Sequence, residues 1–304
     1  MRLFGSDRVA KMMDKMGLEE GEVIQHSMMT KTIERAQKKV EENNFGIRKR
    51  LLEYDDVMNA QREVVYKRRK HALEGNRLKV DIANMIYDTT EIIVEKNKIS
   101  NSYKEYEFDI VRYFSLSSQF TKDEFEKNEF DEIVFKTYKS AYDHYNTKMK
   151  ISAEKVFPII KNVYQNPSNN FERIVVPFTD GKKTLNVVSD LKLAYESKGE
   201  TLINDFEKNI SLAIIDEAWK NHLRKMDELK QSVQLAVHEQ KDPLIIYKFE
   251  SFELFKTMLD KINREIISFL FKGELPSKDP SEIREDRNIR RKQKFNLTKD
   301  EELK

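Results

Sequence analysis

The chain has 304 residues, enough for one large domain or two smaller ones, and 39% of them are hydrophobic. Its 55 Lys and Arg residues nearly balance 53 Asp and Glu residues, which argues against a dedicated nucleic-acid-binding domain, because such domains are clearly basic. It has no cysteine, which excludes disulfides, cysteine–zinc sites and thiol nucleophiles. Only 8 glycines and 6 prolines interrupt the chain, and this scarcity favours long helices.

Residues 1–28 are predicted to be the remnant of a larger domain. The stretch SDRVAKMMDKMG predicts a short helix that is capped by Ser6 or Asp7 and ends at Gly17. One short helix cannot form a core, so we expect this segment to belong to a domain that this chain lacks. The segment has no apolar core of a signal peptide, and no run of the chain is apolar and long enough to cross a bilayer.

Residues 29–75 are predicted to form one long helix, because apolar residues recur at spacings of three, four or seven. At 1.5 Å per residue this helix would be about 65–70 Å long, too long to be buried in one small domain. Phe45, Leu52 and Val64 lie off the main stripe, which indicates packing partners on several sides and weighs against a two-stranded coiled coil. The main stripe consists of Ile33, Ala36, Val40, Ile47, Leu51, Tyr54, Met58 and Val65.

Residues 76–205 are rich in Phe and Tyr and are predicted to form several shorter amphipathic helices. Within this region, the stretch RIVVPFTDGKKTLNVVSD has β-branched runs on both sides of Asp180 and Gly181, a pair that is typical of hairpin turns. We therefore expect a small β-hairpin inset in a helical domain.

Residues 206–275 are predicted to form two antiparallel helices, each about 40 Å long, which we call the two-helix finger. The break between them lies around Glu239–Pro243. We expect Trp219 to anchor the pair, and we expect the aromatic residues of the second helix to lie mostly in the core, namely Phe249, Phe252 and Phe255. The tip, Val237–Lys241, would lie far from any core, and it is either a contact site for a partner or a plain solvated loop.

Residues 276–304 are polar and charged and are predicted to be a flexible linker. Its basic residues can either touch anionic lipid headgroups weakly or keep the linker soluble, and they are Arg290, Arg291, Lys292 and Lys294. The whole pattern predicts a mainly α, elongated fold. It would comprise a long scaffold helix, a helical domain with a small β-hairpin and an antiparallel two-helix finger.

The sequence offers little for catalysis or metal binding. Adjacent Asp55 and Asp56 point about 100° apart on a helix, so they favour surface ion pairs over one shared metal ion. No two of the 5 histidines stand at metal-ligand spacing, and no phosphate-binding loop or nucleophile elbow is present. The basic stretch YKRRKH, residues 66–71, is consistent with phosphate contacts or with the charged end of a long helix.

The stretch NFGIRKRLLEYDDVMNAQREVVYKRR resembles the long scaffold helix of the SecA family, the motors of bacterial preprotein export. The family pattern N-F-x-x-R-K-x-L-L-x-Y-D-D-V-x-x-x-Q-R is matched at Asn44, Phe45, Arg48, Lys49, Leu51, Leu52, Tyr54, Asp55, Asp56, Val57, Gln61 and Arg62. Two further blocks follow the family order. MRLFGSDRVAKMMDKMG resembles the end of the second nucleotide-binding domain, and IDEAWKNHLRKMDELKQSVQLAVHEQKDPLIIYKFESFELF resembles the two-helix finger.

This resemblance implies a division of the chain into parts of a larger motor. The segments would be a remnant of the second nucleotide-binding domain (1–28), the long helix of the helical scaffold domain (29–75), the helical wing domain (76–205), the two-helix finger with the rest of the scaffold (206–275) and a flexible C-terminal linker (276–304). The wing matches the family pattern only weakly, and its hairpin resembles a lineage-specific elaboration.

The resemblance also implies roles for particular residues. The motor domains would dock on the long helix through Phe45, Arg48, Leu51, Leu52, Tyr54, Asp55, Asp56, Gln61 and Arg62. The finger tip would contact the preprotein and the SecYEG channel through Val237, His238, Glu239, Gln240 and Lys241. Many family members have Gly-Tyr where this chain has Val237-His238, so a ring is kept and the phenol is lost. The finger would also restrain the ATPase when no substrate is bound.

ATP and Mg²⁺ would bind in motor domains that this chain lacks, so we expect this fragment to bind no cofactor and no metal and to hydrolyse no ATP, whereas its parent would be a protein-translocating ATPase. The implied partners are the SecYEG channel, unfolded preproteins, the parent's own motor domains, an anionic membrane surface and a second SecA protomer, with no nucleic acid. The implied location is cytoplasmic, peripheral on the inner membrane. The residues themselves also leave open a free-standing helical scaffold or adaptor without a transport role.

Overall fold

The fold is mainly α-helical, as predicted, with one small antiparallel sheet. A computed structural model describes residues 27–75, 77–166, 171–233, 242–275 and 284–285, and the chain divides into two compact units, residues 1–60 and 61–304. The described elements in chain order are α1 (Ser27–Glu74), α2 (Leu78–Ile99), α3 (Tyr103–Phe114), α4 (Lys122–Lys127), α5 (Phe130–Gln165), β1 (Arg173–Thr179), β2 (Thr184–Asp190), α6 (Leu191–Glu196), α7 (Glu200–Ser232), α8 (Pro243–Lys272) and β3 (Arg284–Glu285).

Helix α1 is the long helix that the apolar spacing predicts, and its 48 residues run without a break. It ends at Gly75, whose φ of 75° lies in the left-handed region that glycine adopts without strain. The amide of Gly75 donates to the carbonyl of His71 at 3.0 Å, which satisfies one of the last carbonyls of the helix. Between residues 30 and 60, every side chain of α1 is exposed or half-buried.

The middle region is more continuous than the predicted set of shorter helices. Helix α5 alone has 36 residues and runs through Pro158, which has no amide hydrogen to donate within the helix. Four buried residues around the proline pack into the core, and their burial holds the helix together across it: Val156, Ile159, Ile160 and Val163. Tertiary packing therefore overrides the local helix-breaking tendency of proline.

The predicted β-hairpin is present. Strands β1 and β2 pair antiparallel from Arg173–Asp190 to Thr179–Thr184, and the turn is closed by the Asp180 carboxylate, which accepts from the amides of Lys182 and Lys183 at 2.8 and 2.7 Å. The sequence does not predict the third strand, since β3 lies in the stretch assigned to the linker. It pairs with β1 at Ile174 and Val175, and Glu274 forms a separate bridge to Thr179.

Helices α7 and α8 form the predicted antiparallel pair. The ring of His222 lies 5.7 Å from that of Phe255, and the ring of Phe206 lies 6.3 Å from that of Phe269, so the two chains run in opposite directions. The prediction that Phe249 and Phe252 pack in the interior is wrong, because they are 74% and 62% exposed. Both lie on a face of α8 that the described part of the chain leaves uncovered.

We expect Gly199→Ala to lower the free energy of unfolding by about 1–3 kcal/mol, because Gly199 has a φ of 94° and an added Cβ would lie 2.8 Å from the carbonyl oxygen of Ala153. Urea unfolding followed by circular dichroism measures the change. Gly46→Ala is the control, since no atom lies within 4 Å of its added Cβ and alanine is the better helix former by about 1 kcal/mol. Equal unfolding midpoints for both variants would contradict the expectation.

Candidate functional site

Large apolar side chains are exposed on two opposite faces of α1 in the first unit. Phe45 and Leu52 are 61% and 62% exposed and stand seven residues apart, so they lie on one face. Ile47 and Leu51 are each 52% exposed, and Ile47 lies about 200° around the helix from Phe45. Single exposed apolar residues are ordinary, whereas larger exposed apolar patches are typical of surfaces that bind other protein.

The polar residues predicted to take part in docking are mostly at the surface as well. Arg48, Asp55, Asp56 and Arg62 are exposed, and Tyr54 is half-buried. All the predicted docking residues lie on α1, and Gln61 differs from the others because its side chain is buried.

The assignment of Gln61 to a docking surface is corrected by the structure, because its side chain is 6% exposed and has partners within the chain. Its Nε2 donates to the backbone carbonyl of Ser251 on α8 at 3.1 Å. Its Oε1 lies 2.8 Å from Nε2 of His222 on α7, and a carbonyl oxygen accepts, so the imidazole donates. We call these three residues the Gln61 junction. Gln61 stands four residues before buried Val65, and this spacing is the sequence signal for its inward position.

His222 is held neutral in this junction. It is 2% exposed and lies between aromatic rings, 5.6 Å from that of Trp219 and 5.7 Å from that of Phe255. Burial lowers the pKa of His222 to about 4, and the nearby cation Lys225 acts in the same direction. The neutral ring can donate to the Gln61 oxygen when its proton is on Nε2.

A second set of polar contacts ties α1 to α8 again and links α8 to α2. Nη1 of Arg68 donates to Oδ1 of Asn263 on α8 at 3.0 Å, and Nδ2 of Asn263 donates to the Asp88 carboxylate on α2 at 3.3 Å. Burial raises the pKa of Asp88, and the positive charge of Arg68 acts against that rise. The Arg68 guanidinium binds the Asn263 amide and thereby lies close enough to stabilise the ionised Asp88 carboxylate.

The basic stretch 66–71 is largely paired within the chain. Arg69 binds Asp216 on α7 at 2.9 Å, and Nδ1 of His71 lies 3.1 Å from the Asp81 carboxylate. Lys70 pairs with Glu74 at 3.7 Å, one turn along α1. These ion pairs support the interpretation of residues 66–71 as the charged end of a helix. They leave few cations of this stretch available to bind phosphates.

A further exposed apolar face lies on α8. Ile245, Phe249 and Phe252 are 60%, 74% and 62% exposed, and spacings of four and three residues place them on one face of the helix. This face leads towards the predicted finger tip. The tip residues Val237, His238, Glu239, Gln240 and Lys241 lie outside the described residues.

The described part of the chain contains neither a cluster of metal ligands nor a helix that could span a membrane. There, no group of three or more His, Cys, Asp or Glu side chains is arranged to hold a metal ion. No helix in the same part combines the length and the apolar character that a membrane span needs.

Comparison with known proteins gives a consistent match. A family model for the SecA wing and scaffold domain matches residues 23–274. The protein translocase subunit SecA of Flavobacterium psychrophilum is 67% identical over 303 residues, which cover 100% of this chain and 27% of the relative. The SecA subunit of Christiangramia forsetii is 65% identical over 99% of this chain and 27% of its own length, and that of Bacteroides fragilis is 49% identical over 94% and 26%. The chain thus spans about a quarter of the length of these relatives.

We expect the chain to lose stability as the pH falls through the range in which His222 titrates. Unfolded histidine ionises near pH 6.5 and His222 in the folded chain near pH 4, so the unfolded state binds more protons between these values. His222 alone should then lower the free energy of unfolding by about 2 kcal/mol between pH 7 and pH 5.

Urea unfolding at both pH values measures this difference. His222→Gln retains an N–H donor for Gln61 but cannot titrate, so its loss between pH 7 and pH 5 should be smaller by about the same 2 kcal/mol. An identical loss in the variant and the natural chain would show that His222 does not set the pH dependence.

Proposed function

The chain belongs to the SecA wing and scaffold family, and from that membership we propose that it is the part of a preprotein-translocating motor on which the motor domains pack and from which a two-helix finger projects. The match to residues 23–274 and the high identity to protein translocase subunits support this role. Because those relatives are translocase subunits, a free-standing adaptor without a transport role is the less supported alternative.

The observation that carries the proposal is the exposure of apolar residues on both faces of α1. Burying an exposed phenylalanine or leucine stabilises an interface by about 1.5–3 kcal/mol. Phe45 and Leu52 on one face and Ile47 and Leu51 on the other would supply such contacts to two neighbours. A helix that carries two motor domains needs apolar surface on more than one side, and α1 has it.

The finger is proposed to act at its tip and along α8. Phe249 and Phe252 offer a large exposed aromatic surface next to the tip. Aromatic rings contact many kinds of side chain, which suits a surface that must accept polypeptides of any sequence. The partners proposed for this part are the unfolded preprotein and the SecYEG channel, and the finger would restrain the ATPase of the parent when no preprotein is bound.

The remaining parts of the proposal concern the whole motor. ATP and Mg²⁺ would bind to the parent's motor domains, and this chain by itself would show no turnover. The parent would work in the cytoplasm at the inner face of the membrane, where the basic residues of the stretch 276–304 can meet anionic lipids. A second protomer is a further proposed partner.

We expect Phe45→Arg to weaken the association of this chain with the N-terminal remainder of its parent by roughly 10- to 100-fold, because it places a charge where an apolar contact is needed. Isothermal titration measures the affinity. Basal ATP hydrolysis by the N-terminal remainder should fall when the natural chain is added and should fall less with the variant.

Phe135→Arg is the matched control for this experiment, since Phe135 on α5 is 62% exposed against 61% for Phe45. Its affinity should equal that of the natural chain. Equal weakening by both substitutions would sink the docking assignment. Hydrolysis of ATP by the purified chain alone would contradict the separate expectation that this chain shows no turnover.

We expect His238→Tyr in the full parent to preserve preprotein transport and His238→Gly to reduce it severalfold, because the tip needs a ring and not a particular charge. Transport into membrane vesicles measures this effect. Nucleotide binding should be the same in both variants, since the ATP site would lie in other domains. Transport by the glycine variant at the natural rate would mean that the tip is only a turn.

A further inference from the structure

An apolar groove with a basic rim lies where α3 and α8 end, in the second unit. Its volume is about 460 Å³, and its floor is formed by Phe108, Val111 and Leu116. Phe108 is 66% exposed and Val111 is 54% exposed, whereas Leu116 is half-buried. The cations Arg112 and Lys272 border this floor together with the hydroxyls of serines.

The groove follows from the way in which α3 packs. Its residues Tyr106, Ile110 and Phe114 are buried in the core, so Phe108 and Val111 are turned outwards. The ring of Phe114 packs edge-on against Phe271 at 5.3 Å, which places the ends of α3 and α8 side by side. The apolar floor is therefore a fixed part of the fold.

Positive charge accumulates at one side of this groove. Burial lowers the pKa of Lys272, and the cations Lys182 and Arg112 lower it further, whereas Asp180 acts against them. The Asp180 carboxylate accepts two backbone amides of its own turn and keeps its negative charge, so it offsets one of these cations. Arg112 and Lys272 stand in the last turns of their helices, where the dipole favours cations. Lys182 stands in the hairpin turn, and its charge adds to theirs.

We propose that this groove binds residues 295–302 of the same chain, the stretch Phe-Asn-Leu-Thr-Lys-Asp-Glu-Glu. Phe295 and Leu297 would cover Phe108 and Val111 on the floor. The acidic run 300–302 would face the three cations, and such pairing strengthens when the groove is covered and water is displaced. The basic run 290–294 would be repelled by the same cations, so the charge pattern of the stretch sets where it binds.

The path of the chain allows this contact. Strand β3 fixes Glu285 opposite Ile174, and the groove lies near the other end of β1, where Thr179 bridges to Glu274 two residues beyond Lys272. The distance along β1 from Ile174 to Thr179 is about 17 Å. The segment from Glu285 to Phe295 spans up to about 33–36 Å when extended, so it can turn back and reach the groove.

The absence of cysteine makes a direct test possible, because an introduced pair has no competing thiol. We expect Val111→Cys combined with Leu297→Cys to form an intramolecular disulfide at least 10-fold faster than the same pair in a chain with Asp300→Lys, Glu301→Lys and Glu302→Lys. High salt should slow disulfide formation in the chain with the natural tail towards the rate of the charge-reversed chain. Phe135→Cys with Leu297→Cys is the matched control, since Phe135 is also exposed but lies on α5.

Three outcomes would overturn the proposal. The first is an equal rate with the natural and the charge-reversed tail. The second is an equal rate from position 135, which would mean that the tail visits the surface without preference. The third is slow disulfide formation at position 111 in a chain whose binding to phosphatidylglycerol vesicles is lost in Phe108→Ser. That result would identify a membrane as the occupant of the groove. These measurements use this chain alone, so they do not depend on the docking of motor domains.

Discussion

The amide of Gln61 is the contact on which the packing of α1, α7 and α8 depends. Its nitrogen donates to the carbonyl of Ser251, and its oxygen accepts from the imidazole of His222. All three residues are buried. A buried amide satisfied on both sides allows only one register of the three helices, because a shift by one residue would leave polar groups unpaired. Apolar side chains alone would tolerate several registers.

Polar and apolar residues of α1 have different surroundings. From Gln61 onwards, directional contacts hold the helix to its own chain, as in the bond from Arg68 to Asn263 and the pair of Arg69 with Asp216. In the first unit, Phe45 and Leu52 remain exposed. Directional polar contacts fix an arrangement that forms once during folding, whereas exposed apolar faces suit surfaces that meet another domain.

Local patterns predicted what depends on local physics. The apolar spacing located α1 to within two residues at each end, and Asp180-Gly181 located the hairpin, because helix period and turn chemistry act over a few residues. The spacing to Val65 indicates that Gln61 lies on the inward side of α1, but local patterns do not reveal its hydrogen-bond partners, which lie 161 and 190 residues away along the chain. The exposure of Phe249 and Phe252 is not predicted, because the apolar face of α8 is wider than the surface that neighbouring helices cover. Periodicity identifies an apolar face but does not show which part of it is covered.

Strand β1 is attached twice to the chain that leaves α8. Glu274 bridges to Thr179 directly after the helix, and Arg284 and Glu285 pair farther along the same strand. Tension applied to the chain beyond residue 285 would therefore be met first by β3 and would be spread across the sheet. The end of α8 would feel that tension only after the β3 bonds had opened. The pairing of β3 with β1 would thereby shield the end of α8 from a pull on the chain beyond residue 285.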